Sequence, residues 1–242
     1  SSKHFNEIFI IDHSTTSEEA ASHQGGSSNK GGDILYRWGN PNNYDRGNLA
    51  DQKLHAQHGV HWIPLGMPGS GNLLVYNNNP TDTTGFNNSF GNSTVVEINP
   101  PLNNDGNYYI ELDSAYGPVD YYWEYGGDNS FFSSFQSGAY RLQNGNTFIT
   151  VSQEKRLFEI DSVGNTLWEY NFENHSNHLG YTARAMKYEI DYLETITGDL
   201  SSDFLINIYD LIKTIGLFSQ GQYVEAGDLN DDSFINNEDI DS

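Results

Sequence analysis

The chain has 242 residues and a formal net charge of −22, from 33 acidic against 11 basic side chains, which argues against nucleic acid or an anionic membrane surface as partner. It contains no cysteine, so a disulfide framework, a thiolate metal site and a cysteine nucleophile are excluded. With 36% apolar and 14% aromatic residues and 24 glycines, it has enough material for a core of short strands joined by polar turns, and no run near the roughly 20 apolar residues of a membrane-spanning helix.

In chain order, Glu7-Ile8-Phe9-Ile10-Ile11-Asp12 is a predicted strand. A loop rich in Thr, Ser and Gly follows. A second strand, Ile34-Leu35-Tyr36-Arg37-Trp38, is halted by Gly39-Asn40-Pro41. The pattern recurs twice. Residues 95–99 lead, after an insertion, to Tyr122-Trp123-Glu124-Tyr125, and residues 157–161 lead across Val163-Gly164-Asn165 to Leu167-Trp168-Glu169-Tyr170. These two copies also share first halves. Gly71-Asn72-Leu73-Leu74-Val75-Tyr76 parallels Gly145-Asn146-Thr147-Phe148-Ile149-Thr150, and His61-Trp62-Ile63-Pro64 parallels Tyr140-Arg141-Leu142-Gln143.

Each full unit is thus four short strands closing on a Trp-Glu-Tyr strand, and the compact copy spans about 40 residues, the size of a propeller blade. The predicted fold is mainly β: two complete blades and the outer half of a third, about two and a half blades over residues 1–190. Propellers close with about 4–8 blades, so further blades are expected upstream. The chain, opening at Ser1-Ser2 without Met or a signal peptide, reads as a fragment. The recurrent Glu97, Glu124, Glu159 and Glu169 and the tryptophans fit blade packing. Beyond the third blade, residues 173–190 carry His175 and His178 and read as a closing strand and linker, with a helix near residues 190–195.

Residues 191–242 form a second module. They hold twelve acidic side chains against Lys213 alone. Here residues 199–210 recur as residues 228–239, with a short apolar helix, Leu211-Ile212-Lys213-Thr214-Ile215-Gly216-Leu217, leaving the first copy. An EF-hand-type loop presents oxygens to calcium at positions 1, 3, 5, 7 (a carbonyl), 9 and 12. The first copy offers Asp199, Ser201, Asp203, the Leu205 carbonyl, Asn207 and Asp210, and the second Asp228, Asn230, Asp232, the Phe234 carbonyl, Asn236 and Asp239. Position 6, where glycine eases the turn, is Phe204 or Ser233, and the chain stops before a second exit helix. The pair resembles a truncated type I dockerin module. That resemblance implies two bound Ca2+ ions and a cohesin-like protein partner.

Aligning the two complete units sets Gln57-His58-Gly59 against Gln136-Ser137-Gly138. His58 then stands at a channel-facing position that the next unit fills with serine, so the fold does not require histidine there. Together with Asn6-Glu7-Ile8-Phe9-Ile10-Ile11-Asp12-His13-Ser14-Thr15-Thr16, Gly31-Gly32-Asp33-Ile34-Leu35-Tyr36-Arg37-Trp38-Gly39-Asn40-Pro41 and Gly71-Asn72-Leu73-Leu74-Val75-Tyr76-Asn77-Asn78, this Gln-His pair resembles the arylsulfotransferase family over about residues 1–190. The resemblance implies an exported, secreted or periplasmic six-bladed propeller. It also implies transfer of a sulfuryl group from a phenolic sulfate ester to a phenol without a nucleotide cofactor, with His58 as the transiently sulfated nucleophile.

The family's sulfuryl-binding arginine falls near Lys3, which keeps the charge but loses bidentate geometry; His4 is a conceivable substitute. His13 and His61 are candidates for contacting substrate, His61 from the inner strand, and His13 and His23 for shaping the channel mouth, while His55 reads as loop. With the earlier blades missing, the chain as it stands is expected to have little activity. The alternative reading is a non-catalytic propeller that binds glycans or proteins, tethered through its calcium-dependent tail.

Overall fold

Strands form where β-branched and aromatic residues run between Gly- and Asn-rich turns, and antiparallel pairing follows from the short connections. A computed structural model describes residues 1–79, 91–172, 181–188, 200, 208–220 and 234–236. The chain divides into two compact units, Ser1–Met186 and Lys187–Ser242.

The first unit is mainly β, with three antiparallel sheets in chain order. Strands β1 (Ile8–Ile11) and β2 (Ile34–Trp38) make a two-stranded sheet. Strands β3 (His58–Trp62), β4 (Leu73–Asn77), β5 (Thr94–Ile98) and β6 (Trp123–Gly126) form a four-stranded meander. A second meander comprises β7 (Gly138–Arg141), β8 (Thr147–Val151), β9 (Arg156–Ile160) and β10 (Thr166–Asn171). The fourfold strand pattern read from the repeats is therefore observed. The inner strands begin at His58 and Gly138. Each ends at a turn: Ile63 N–H donates to the Asn72 carbonyl and Leu142 N–H to that of Asn146, both at 2.8 Å.

The middle sheet is buried on both faces, because successive side chains point to opposite sides. Leu73, Val75, Val96 and Ile98 pack against Ile8, Tyr36 and Trp38 of the first sheet. Leu74, Tyr76 and Val95 pack against Ile149, Val151, Phe158 and Ile160 of the third, with Phe131 between them. Glu97 of β5 and Arg141 of β7 form a buried ion pair across this second interface, at 2.6 Å and only 3% and 7% exposed. Asn72 donates to the other Glu97 oxygen at 2.6 Å, and Trp123 lies under the guanidinium. Asn146 donates to Glu159 in the same way one sheet later. These glutamates are structural, as their recurrence suggested.

Residues 12–33 form a loop around the one-turn helix α1 (Ser17–Ala20), capped by Thr16 and Glu19. In the second unit, α2 (Ile208–Gln220) begins three residues before the predicted apolar helix and runs three beyond it. No helix among the described residues is long and apolar enough to cross a membrane. The helix predicted near residues 190–195, together with His175 and His178, lies outside the described residues.

Candidate functional site

His58 is the first residue of β3, and the local backbone is built to present it. Its neighbour Gln57 is buried and turned inward, where Nε2 donates to the Ser2 carbonyl at 3.0 Å and to that of Glu7 at 3.1 Å. Ala56 holds a left-handed conformation, φ +55°, with its N–H on Asn6 Oδ1 at 2.7 Å. Between His58 and His61 the register with β4 slips, and Gly59, φ +66°, lies in that slip. A Cβ on Gly59 would stand 3.2 Å from the Gly138 Cα and 3.3 Å from the Ser137 carbonyl. Glycine thus lets the inner strands of the two meanders approach. Gly59→Ala is expected to cost about 1–2 kcal/mol from the backbone conformation alone, read as a lowered urea midpoint, and to displace His58.

The His58 ring is half-buried, and its Nδ1 lies 2.8 Å from Asn78 Oδ1. Asn78 is fully buried. Its amide nitrogen donates to two backbone carbonyls, of Ser133 at 2.6 Å and of Gln136 at 3.2 Å. Both amide hydrogens are thereby committed, so the side-chain oxygen must face the ring. A neutral imidazole then carries its proton on Nδ1 and leaves a lone pair on Nε2. Burial lowers the His58 pKa below its ordinary value. The Asn78 hydrogen bond opposes this, the nearby Lys3 charge adds to the lowering, and the Ala56 backbone opposes it. Burial and the Lys3 charge both favour the uncharged ring.

Lys3 is half-buried in a turn closed by Ser2 N–H on the Glu7 carbonyl (2.8 Å) and Glu7 N–H on that of Ser2 (3.3 Å). Gln57 clamps that turn onto β3, which brings the Lys3 charge to His58. His4, in the same turn, is exposed. His61 faces the third sheet: its ring stacks on Tyr140, centroids 4.8 Å apart, and its Nδ1 lies 2.9 Å from the Gly59 carbonyl. Its pKa is lowered by burial first, against the Gly59 hydrogen bond, with Arg184 adding to the lowering.

Lys3, His58, His61, Tyr140 and Arg184 therefore gather along the inner strands. Asn78 and Arg184 are absent from the sequence-derived site. Asn78 lay within the quoted Asn77-Asn78 run, and the signal that singles it out is its place one residue past β4, whose Tyr76 pairs with His58. Arg184 carried no signal. Its segment is held by Ser137 N–H on the Ala183 carbonyl (2.8 Å) and Ala185 N–H on Thr150 Oγ1 (2.9 Å).

His13 is exposed beyond the far end of β1 from Gln57. Its loop is organised by Asp12, whose carboxylate accepts from the Ser14 hydroxyl and the Ser14 and Ser28 amides. His23 is exposed on Asp33 at 2.6 Å. Among the described residues no contact joins either histidine to His58.

Burial lowers the pKa of His55 as well as those of His58 and His61. The unfolded chain then binds more protons below the ordinary histidine value of about 6.5. Stability should be unaffected by these groups above that pH and should fall as pH drops from about 6.5 towards their depressed folded values. Urea midpoints across that range, with His55→Gln as control, measure the effect; the control should flatten the slope.

Of the twelve expected calcium ligands, Asp199, Ser201, Asp203, Leu205, Asn207, Asp228, Asn230, Asp232 and Asp239 lie outside the described residues. Phe234 is exposed and Asn236 half-buried. Asp210 stands in the first turn of α2 and is 2% exposed, while Ile208 and Ile212 on the same helix are open to solvent. Thr214 Oγ1 donates to the Asp210 carbonyl at 2.9 Å, and Lys213 Nζ reaches back to the Leu200 carbonyl at 2.8 Å. Among the described residues no group of three or more His, Asp or Glu side chains is gathered to hold a metal. The chain matches no family model, no curated protein and no solved structure.

Proposed function

We propose that the first unit is part of an arylsulfotransferase-like β-propeller in which His58 carries a sulfuryl group between two phenols. The observation that carries this reading is the Asn78–His58 hydrogen bond, which leaves Nε2 as a lone-pair nucleophile on an inner strand between two four-stranded meanders. The Nε2 lone pair attacks the sulfur of a phenolic sulfate ester. The S–O bond to the ring breaks and phenolate leaves with its electron pair. The sulfated imidazole keeps its proton on Nδ1, where Asn78 Oδ1 accepts it, and the positive ring is a good leaving group. An acceptor phenol then takes the sulfuryl group and gives up its proton to solvent. Splitting one displacement into two lowers each barrier, and the Lys3 charge favours the sulfuryl oxygens as negative charge shifts.

The test is covalent capture. A polypeptide containing this chain and the upstream sheets that the reading requires is mixed briefly with an aryl sulfate and quenched at alkaline pH. Intact-mass and peptide analysis should find one sulfuryl group on His58, released by added phenol and absent from His58→Ala. Undiminished sulfation or turnover in His58→Ala would overturn the assignment. Absence of any donor cleavage would favour a non-catalytic binding propeller.

For the second unit we propose a dockerin-like calcium module with a cohesin-like protein as partner. Asp210 fits: position 12 of the first loop falls in the first turn of the exit helix, and its side chain is buried. Calcium bound there would be held by Asp199, Ser201, Asp203, Asn207, Asp210 and the Leu205 carbonyl, tying the first loop to α2, and by the corresponding residues of the second loop. Titration of the chelator-treated protein with calcium should give a saturable rise in helical circular dichroism that Asp210→Ala combined with Asp239→Ala removes. No response up to roughly millimolar calcium, the weak end of such sites, would rule the module out.

A further inference from the structure

We propose that a cleft between the segment after β2 and the loop before β6 binds a flat aromatic ring bearing one anionic group, at a site separate from His58. The cleft has a volume of about 330 Å³; Tyr44, Tyr116 and Pro118 give it apolar walls, backed by the buried Trp38 and Pro41. This volume is at the low end of ligand pockets, roughly 300–1,000 Å³, and suits a single ring rather than an extended chain.

The cleft is pre-formed by hydrogen bonds between its two sides. Trp38 Nε1 donates to the Pro118 carbonyl at 2.9 Å, and the buried Tyr36 hydroxyl to that of Gly117 at 2.6 Å. Tyr116 N–H donates to the Tyr44 hydroxyl at 3.3 Å, and the Tyr121 hydroxyl to the Lys53 carbonyl at 3.0 Å. The Tyr44 and Tyr116 rings lie 6.3 Å apart. A planar ligand would meet aromatic faces without reorganising them, which removes much of the ordering cost of binding.

Charge selects the ligand's sign. Arg46 and Lys53 line the cleft against one acid, Asp51, in a chain that has only 11 basic residues. Asp51 is engaged by the Asn48 amide at 2.8 Å, and Arg46 gives one arm to the exposed Asp113 at 2.9 Å. Lys53 is half-buried, and its ammonium makes no hydrogen bond or ion pair to a described residue. An anion there would gain a charge-assisted hydrogen bond. Among lining side chains Ser114 alone offers a neutral hydroxyl outside the tyrosines, so a polyhydroxylated sugar would leave most of its groups unmet, whereas a ring with a single acid group would not.

Benzoate is the probe, since it has no sulfuryl group to transfer and reports binding independently of the proposed reaction. Calorimetric titration should show one saturable site, with phenol and cyclohexanecarboxylate binding more weakly. Lys53→Gln should weaken benzoate roughly tenfold or more, and Ala50→Phe, at an exposed lining position, should fill the cleft and abolish binding. His58→Ala should leave it unchanged. Absence of saturable binding up to roughly tens of millimolar, or equal binding by Lys53→Gln and Ala50→Phe, would overturn the proposal. Loss in His58→Ala with retention in Ala50→Phe would place the ring at His58 and sink this site while leaving sulfuryl transfer standing.

Discussion

Arg141→Ala is expected to lower the stability of the first unit by roughly 3–5 kcal/mol, the scale of breaking a buried ion pair by removing one partner. Glu97 would remain at 3% exposure without its cation, keeping only the Asn72 amide on one oxygen. Water cannot readily solvate it there, so the charge is desolvated without compensation. The guanidinium also donates to the Gly145 carbonyl at 3.3 Å and covers the Trp123 ring, so packing is lost along with charge. Arg141→Met should restore part of the volume but not the charge balance. The double substitution Arg141→Met with Glu97→Leu should recover most of the loss, because a well-packed apolar pair can replace a buried ion pair. Urea unfolding of the parent, Arg141→Met, Glu97→Leu and the double variant closes the cycle. A loss below about 1 kcal/mol in Arg141→Ala, the range of solvent-exposed pairs, would show that this contact does not hold the second and third sheets together.

The same pair shows what the sequence made legible. Glu97 and Glu159 recur at equivalent places after Asn72 and Asn146, so a shared structural task could be read from the repeat. That Arg141 answers Glu97 could not be, because its equivalent in the preceding unit is Trp62 and pairing across sheets has no spacing rule. Strand positions were legible for a related reason: alternation and turn residues act locally. The backbone bend before His58 was not legible, because it depends on Ala56 and Gln57 meeting the Ser2–Glu7 turn, contacts made across some 50 positions. His58 itself was legible as an exception to the repeat. Its partner was not, since Asn78 reaches the ring only through the register of β3 on β4. The aromatic cleft was likewise hidden, because it joins residues 38–53 to residues 114–119 across three intervening strands. In the tail the pattern at positions 1 to 12 is explicit, and α2 begins where that pattern puts the end of a loop.

Under the proposed mechanism, Asn78→Ala should cut sulfuryl transfer by roughly 100-fold or more while the protein remains folded. Substitution removes the side-chain acceptor that holds the Nδ1–H tautomer of His58. The freed ring can then protonate Nε2 instead, and the lone pair points away from the substrate. Loss of an orienting partner of a catalytic imidazole has effects of about 10²–10⁴ elsewhere. Asn78 also has a structural role, because its amide satisfies the Ser133 and Gln136 carbonyls, and Ala leaves both without that donor. Asn78→Asp separates the two. A carboxylate on Nδ1 stabilises the imidazolium and should move the acid limb of the pH–rate profile upward, from below the ordinary histidine value of about 6.5 towards or above it. Loss of packing alone would lower the rate without moving that limb. If Asn78→Ala unfolds no more readily than the parent yet keeps its rate within about twofold, orientation of His58 by Asn78 does not carry the proposed transfer, and that part of the mechanism fails.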